Sequence, residues 1–170
     1  VNATDPGTWF NKMRPEAERL RDLLGAGPNV VPVFLAQWAH ETGFESPKWI
    51  GGNNYSGLTD GEQFRSFGSA KDHTRAQAAA LQDPDWAWAY APFVDAARQN
   101  DPPEQLAEYL GVTPWNEDHY QGDGNMPGGV LVGIMHDYGL LDPAKAPVEA
   151  TASAQIGAAT STQPQRACLL

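Results

Sequence analysis

A single cysteine, Cys168, stands in a chain of 170 residues. No intramolecular disulfide can brace the fold, and no metal site can rest on thiolates. Basic residues are scarce as well: 11 Lys and Arg against 21 Asp and Glu give a formal net charge of −10. No cationic stripe is left to neutralise phosphates, which argues against a nucleic-acid partner. Adhesion to anionic membranes or wall polymers by charge alone is disfavoured for the same reason. No apolar run approaches the ~20 residues that a membrane-spanning helix requires, so no membrane is expected as a partner. The four histidines, His40, His73, His119 and His136, form no H-x-x-x-H or H-E-x-x-H pair, which disfavours a zinc amidase or peptidase. The absence of G-x-S-x-G leaves a serine hydrolase without support. The first residues carry no charged region followed by an apolar stretch, so no secretory signal is expected in this chain. A start at Val1 rather than Met reads as a mature form or an excised fragment.

The length fits one domain with a real core, and six tryptophans supply bulk for it. After Asp142 the composition turns to Ala, Thr, Ser, Gln and Pro. Residues 1–142 are therefore expected to form the domain, and 143–170 a disordered tail or linker. Trp9, Phe10 and Met13 read as a lead-in docked on the core, followed by a helix from Pro15 to Leu24 that ends at Gly25. Asn29 caps a second helix, Val30 to Thr42, whose first turn tolerates Pro32 and whose stop is Gly43. Two short strands are predicted at 55–59 and 63–67, with Asp60 and Gly61 at the turn. Ser69 and Asp72 start a helix to about Gln82. Asp83-Pro84 begins an aromatic-rich helix that Pro92 should kink or interrupt, with Trp86, Tyr90 and Phe93 in the core. Asp101 caps Pro102 to Leu110, and a last helix runs from Val130 to Tyr138. The fold class is thus α+β, mostly α, with a small β-hairpin lobe.

On the second helix Phe34, Trp38 and Glu41 are spaced by four and then three, so the carboxylate extends the stripe that carries two aromatic rings. Burial, and the negative end of the helix dipole in the last turn, would both raise its pKa. A glutamate held protonated near neutral pH is what a general acid requires. A solvated Glu at a helix end is the commoner situation, and the helix pattern does not by itself decide between them.

The ordered motifs add to this. A-Q-W-A-H-E-T-G-F (36–44), then N-N-Y-S-G-L (53–58), then Q-F-R-S-F-G-S-A-K-D-H (63–73) resemble the glucosaminidase domains of glycoside hydrolase family 73, found in bacterial autolysins, flagellar peptidoglycan hydrolases and phage endolysins. The family pattern is approximately A-Q-A-x-x-E-S-G-x-G, N-N-x-F-G-I-K, F-R-x-Y-x-S and a Tyr-Ala-Thr-Asp-Pro-x-Tyr segment, matched in order over most of residues 29–140. Ser56 stands where the family usually has Phe and Thr59 where it has Lys. The last segment reads V-T-P-W-N-E-D-H-Y, with Trp115 near the usual tyrosine.

The resemblance implies a lysozyme-like helical domain and an endo-β-N-acetylglucosaminidase that cuts peptidoglycan glycan strands on the reducing side of N-acetylglucosamine. It places Glu41 on the catalytic glutamate. It implies no cofactor, and a monomeric extracellular, wall-associated or phage-encoded enzyme. The second half of such a mechanism could use Glu62, or Asp60 beside it, in the hairpin lobe; or the substrate's own acetamido group could act as nucleophile. Asn54 could bind that acetamido group or hold its loop. Tyr55, Trp115 and Tyr120 could form a sugar platform or pack in the core. A muramidase or lytic transglycosylase of similar fold remains open at this point, as does a non-catalytic wall-binding or virion module.

Overall fold

A computed structural model describes residues 5–44, 52–60, 63–115, 120–122 and 126–142. The expected tail at 143–170 and Glu62 lie outside them. Among the described residues the chain is mostly helical with one small antiparallel sheet, an α+β fold of the predicted kind.

The first helix, α1 (Pro6–Leu24), is longer than expected. The lead-in residues Trp9, Phe10 and Met13 are buried as anticipated, but on this helix, continuous with Ala17, Leu20 and Leu24 on one face. Pro15 misleads because a proline usually ends a helix. Here both Pro15 and Asn11, whose carbonyl loses its partner, are exposed, so water can satisfy the freed group. Asp5 closes the start by accepting the Thr8 N–H at 2.9 Å.

The second helix, α2 (Val30–Thr42), is the centre of the molecule: α1, α5 (Pro103–Gly111) and α6 (Gly129–Asp137) pack on it. Every residue from Val30 to Ala39 is buried, so the helix is wrapped on all sides and only its last turn, at His40 and Glu41, reaches the surface. Asn29 precedes it, but its side chain does not cap it. That amide donates instead to the Asn100 and Asp101 carbonyls, at 3.0 and 3.1 Å, and ties the start of α2 to the turn before α5.

The far end is pinned too. Gly43 takes the left-handed conformation, its N–H donating to the Ala39 carbonyl at 2.9 Å. Phe44 follows at φ 60, a conformation costing a bulky residue about 1–2 kcal/mol. Edge contacts of its ring with Trp9, Phe10 and Tyr138, all with centroids 5.4–5.6 Å apart, offset that strain. Glu41 is therefore carried by a helix end that cannot swing freely.

The hairpin strands are shorter than predicted. β1 (Thr59–Asp60) pairs with β2 (Gln63–Phe64) over two residues each, in the register Thr59 to Phe64 and Asp60 to Gln63. Before β1 the chain is a loop organised by the Asn54 side chain. Its Oδ1 accepts the Leu58 N–H at 2.9 Å, while its Nδ2 donates to the Leu58 and Arg65 carbonyls at 2.6 and 2.9 Å. One side-chain amide thus replaces ladder bonds.

The remaining helices follow their signals closely. Ser69 caps α3 (Ala70–Leu81), accepting the Asp72 N–H at 3.2 Å. A 3-10 turn at Pro84–Trp86 leads into α4 (Ala87–Gln99), which runs unbroken through the exposed Pro92 and buries Tyr90 and Phe93. The residue before α5 is Pro102 rather than Asp101. No helix among the described residues is long and apolar enough to cross a membrane.

Candidate active site

Glu41 lies where three separate parts of the chain meet. The first is α2 itself. The second is Tyr120, after α5, whose backbone carbonyl accepts the Val130 N–H at 3.2 Å and is thereby tied to the first turn of α6. The third is the loop 53–58, whose Gly57 faces the carboxyl.

The Tyr120 hydroxyl donates to Glu41 Oε1 at 2.6 Å, a short charge-assisted contact when the carboxyl is ionised. Glu41 Oε2 lies on the side of Gly57, where an added Cβ would sit 3.3 Å from it. The residue stays partly accessible. Even so, the protein around it desolvates the carboxyl enough to raise its pKa from 4.5 to about 7, and the Tyr120 hydrogen bond opposes that rise. Near neutral pH both protonation states are populated, so the group can hold a proton and release it.

A layer of buried side chains fixes the two neighbours of this carboxyl. Gln37, one turn before Glu41 on the same helix, donates to the Tyr120 hydroxyl at 3.1 Å. Gln77 of α3 donates to Gln37 Oε1 at 2.9 Å, and the Trp38 indole donates to Gln77 Oε1 at 2.8 Å. On the loop side, Ser56 Oγ and His73 Nε2 share a hydrogen bond of 2.7 Å, and the Trp115 indole donates to the Ser56 carbonyl at 2.7 Å. Trp38 serves both sides, because its ring also meets Tyr55 and His73 at 6.1 and 5.4 Å. Burial lowers the pKa of His73 to about 3.

The sequence-predicted residues sort accordingly. Glu41 is placed as expected, at the edge of the core. Tyr120 is brought directly onto it, but its ring is wholly enclosed, so it acts through its hydroxyl and offers no face to a sugar. Asn54 is buried and its amide is occupied by the backbone of Leu58 in its own loop and of Arg65 beyond β2, which decides between its two readings in favour of holding the loop. Tyr55 and Trp115 are also buried, and they too brace the loop rather than form an open platform. Asp60 is exposed at the hairpin end.

Gln37, Gln77, Gly57 and the Ser56–His73 pair were not singled out from the sequence as parts of a site. A glutamine on an otherwise apolar helix, four residues before the candidate acid, was the available signal: a buried amide must find partners. Among the described residues no three of His, Cys, Asp and Glu cluster as metal ligands would.

No protein-family model, curated protein or solved structure matches the chain.

Gly57 provides a first test. Its φ of +71 strains any L residue by about 1–2 kcal/mol. Gly25, at φ +65 with nothing near its would-be Cβ, supplies the control. Gly57→Ala and Gly25→Ala should both lower stability by about that amount in urea unfolding, but only Gly57→Ala should shift the Glu41 titration. Equal, unshifted titrations in the two variants would mean that Gly57 does not set the environment of the carboxyl.

Proposed function

We propose that this chain is a peptidoglycan hydrolase, an endo-β-N-acetylglucosaminidase that cleaves the β-1,4 bond on the reducing side of N-acetylglucosamine with Glu41 as general acid. One observation carries the reading: a partly accessible glutamate in the last turn of an otherwise buried helix, with burial raising its pKa to about 7. Breaking a glycosidic bond needs a proton delivered to the leaving oxygen as positive charge develops at the anomeric carbon. A carboxylic acid near pKa 7 holds that proton at neutral pH and is still acidic enough to give it up. The order of the motifs around Glu41 supports peptidoglycan as the substrate and glucosamine as the sugar cut.

Digesting purified peptidoglycan, reducing the products with borohydride and identifying the reduced sugar by mass spectrometry tests the assignment. Reduced N-acetylglucosamine is expected. Reduced N-acetylmuramic acid would make the enzyme a muramidase, and 1,6-anhydro ends a lytic transglycosylase. No release at all alongside retained wall binding would make the chain a binding module.

The partner that completes the reaction is Glu62 or the substrate's acetamido group. If Glu62 activates water or faces the developing cation, Glu62→Gln should cut turnover strongly, while Asp60→Asn should cost little. If the acetamido group attacks instead, both variants should stay within a few-fold of wild type and a thiazoline analogue should inhibit. Near-wild-type turnover without thiazoline inhibition would exclude both routes.

A further inference from the structure

We infer that Gln37 and Gln77 are positioning residues that fix the direction of the Tyr120 O–H and so assign the transferable proton of Glu41 to Oε2, the oxygen beside Gly57. The direction follows from chemistry at the head of the chain. An indole N–H can only donate. Trp38 Nε1 lies 2.8 Å from Gln77 Oε1, so Gln77 must present its oxygen to Trp38 and its NH2 to Gln37. Gln37 must then accept through Oε1, at 2.9 Å, and turn its own NH2 to Tyr120, at 3.1 Å. With a lone pair engaged by Gln37, the phenol directs its proton to Glu41 Oε1 at 2.6 Å.

Each amide orientation, ordinarily ambiguous, is forced by the one before it. Four hydrogen bonds run in one sense from Trp38 to Glu41, and bonds aligned in this way polarise one another. Trp38, Gln37, Gln77 and Tyr120 are all wholly or almost wholly buried, so water does not offer these groups substitute partners at the surface.

The consequence concerns which oxygen can be an acid. An Oε1 that accepts the Tyr120 proton cannot readily carry one of its own, so a protonated Glu41 bears its hydrogen on Oε2. That proton is useful only if Glu41 is the donor proposed above, whereas a titration reads the carboxyl whether or not glycan is cut. Of the other titratable groups described on or around α2, His40 lies against the same phenol and the rest are engaged elsewhere. The exposed His40 lies with its ring 5.6 Å from that of Tyr120, His73 is bonded to Ser56, Glu16 of α1 is paired with Arg19, and Glu104 and His136 pair across α5 and α6. Tyr138, after α6, has its ring against Phe10 and Phe44.

The test is a carbon-13 NMR titration of the Glu41 side-chain carboxyl in the full chain, run as a double-mutant cycle. Gln37→Met keeps the length of the side chain and removes the donor. It frees Tyr120 to accept from a protonated Glu41, which favours the protonated form. The midpoint should rise above its wild-type position, about 7, by roughly half to one pH unit, the equivalent of one modest hydrogen bond. Tyr120→Phe should raise it at least as far, and adding Gln37→Met to Tyr120→Phe should move it no further, because Gln37 acts through the phenol. Gln77→Met should shift it in the same direction by less, and it reads the same chain should Gln37→Met not fold. A merely structural role would lower the melting temperature and leave the midpoint in place. An unmoved midpoint in the folded glutamine variants, or an equal Gln37→Met shift with and without the phenol, would overturn the assignment. Loss of hydrolysis is not used as the readout, so a failure here stays distinct from a failure of the glucosaminidase reading.

Discussion

Glu41→Gln should fold as the wild type does and lose peptidoglycan hydrolysis by on the order of a hundredfold or more, the scale of removing a positioned general acid. The amide keeps the shape of the side chain, and its carbonyl oxygen can still accept the Tyr120 hydroxyl, so the surroundings have no cause to rearrange. It has no acid proton to deliver. A second, opposite effect should accompany the loss. The wild-type carboxyl has its pKa raised from 4.5 to about 7 by burial, so its contribution to stability is fully present below pH 4.5 and is lost as pH rises through 7. At ~1.4 kcal/mol per unit the ceiling is about 3.5 kcal/mol, reduced in practice because the residue is partly accessible. Glu41→Gln has nothing to ionise there. Relative to wild type it should therefore gain stability from pH 5 to pH 8, and the gain should vanish near pH 4. A variant that lyses walls within a few-fold of wild type would remove Glu41 from the role of acid. A stability difference that stays flat with pH would mean that the carboxyl is not desolvated.

Such a pairing of lost activity with gained stability is expected where a fold buries a group for its chemistry rather than for its packing. How much of it can be read in the chain depends on whether the signal is local. The stop at Gly43, the Ser69 cap and the placing of Glu41 beside the aromatic stripe are short-range features, and each was legible. The first half of α1 was hidden because Pro15 carries a breaker signal, and the sequence does not say whether the carbonyl it frees points to water. The strand at 55–59 was overdrawn because Asn54 replaces ladder bonds with side-chain ones, which alternation of residue types cannot distinguish. Tyr120 carries a misleading local signal. An aromatic residue in a late loop suggests a sugar platform, whereas its contact with Glu41 joins positions 79 residues apart and depends on how α5 and α6 pack. Gln37 and Gln77 show the same limit: a period assigns a residue to a face, and only the assembled core supplies its partner.

His73 should make the fold acid-labile, and the Glu41→Gln background shows this without interference. The imidazole is buried among the rings of Trp38, Tyr55 and Phe67, with centroids 5.4–5.5 Å away. Its Nε2 is bonded to Ser56, but among the described residues Nδ1 has no partner, and ionising the ring would require both nitrogens to carry hydrogens. Burial accordingly lowers its pKa from 6.5 to about 3. Attraction between a cation and aromatic faces, about 2 kcal/mol or more when desolvated, opposes this shift, whose ceiling is roughly 5 kcal/mol. Between pH 6.5 and 3 the unfolded chain therefore binds a proton that the native chain refuses, and stability must fall as pH falls through that window. In the wild type, the rising contribution of Glu41 masks the trend down to about pH 4.5, below which that carboxyl becomes protonated in both states. The measurement is urea unfolding of Glu41→Gln and of Glu41→Gln/His73→Gln from pH 7 to pH 3.5. A glutamine at 73 can still reach Ser56 and does not titrate. The double variant should start less stable through lost packing, and the difference between the two should then shrink by up to ~1.4 kcal/mol for each pH unit below 6.5. The other carboxylates are common to both proteins and cancel. A difference that stays constant down to pH 4 would show that His73 takes up its proton at the ordinary pH. In that case the cage around Ser56, and with it the loop that holds Gly57 against Glu41, would have to admit water.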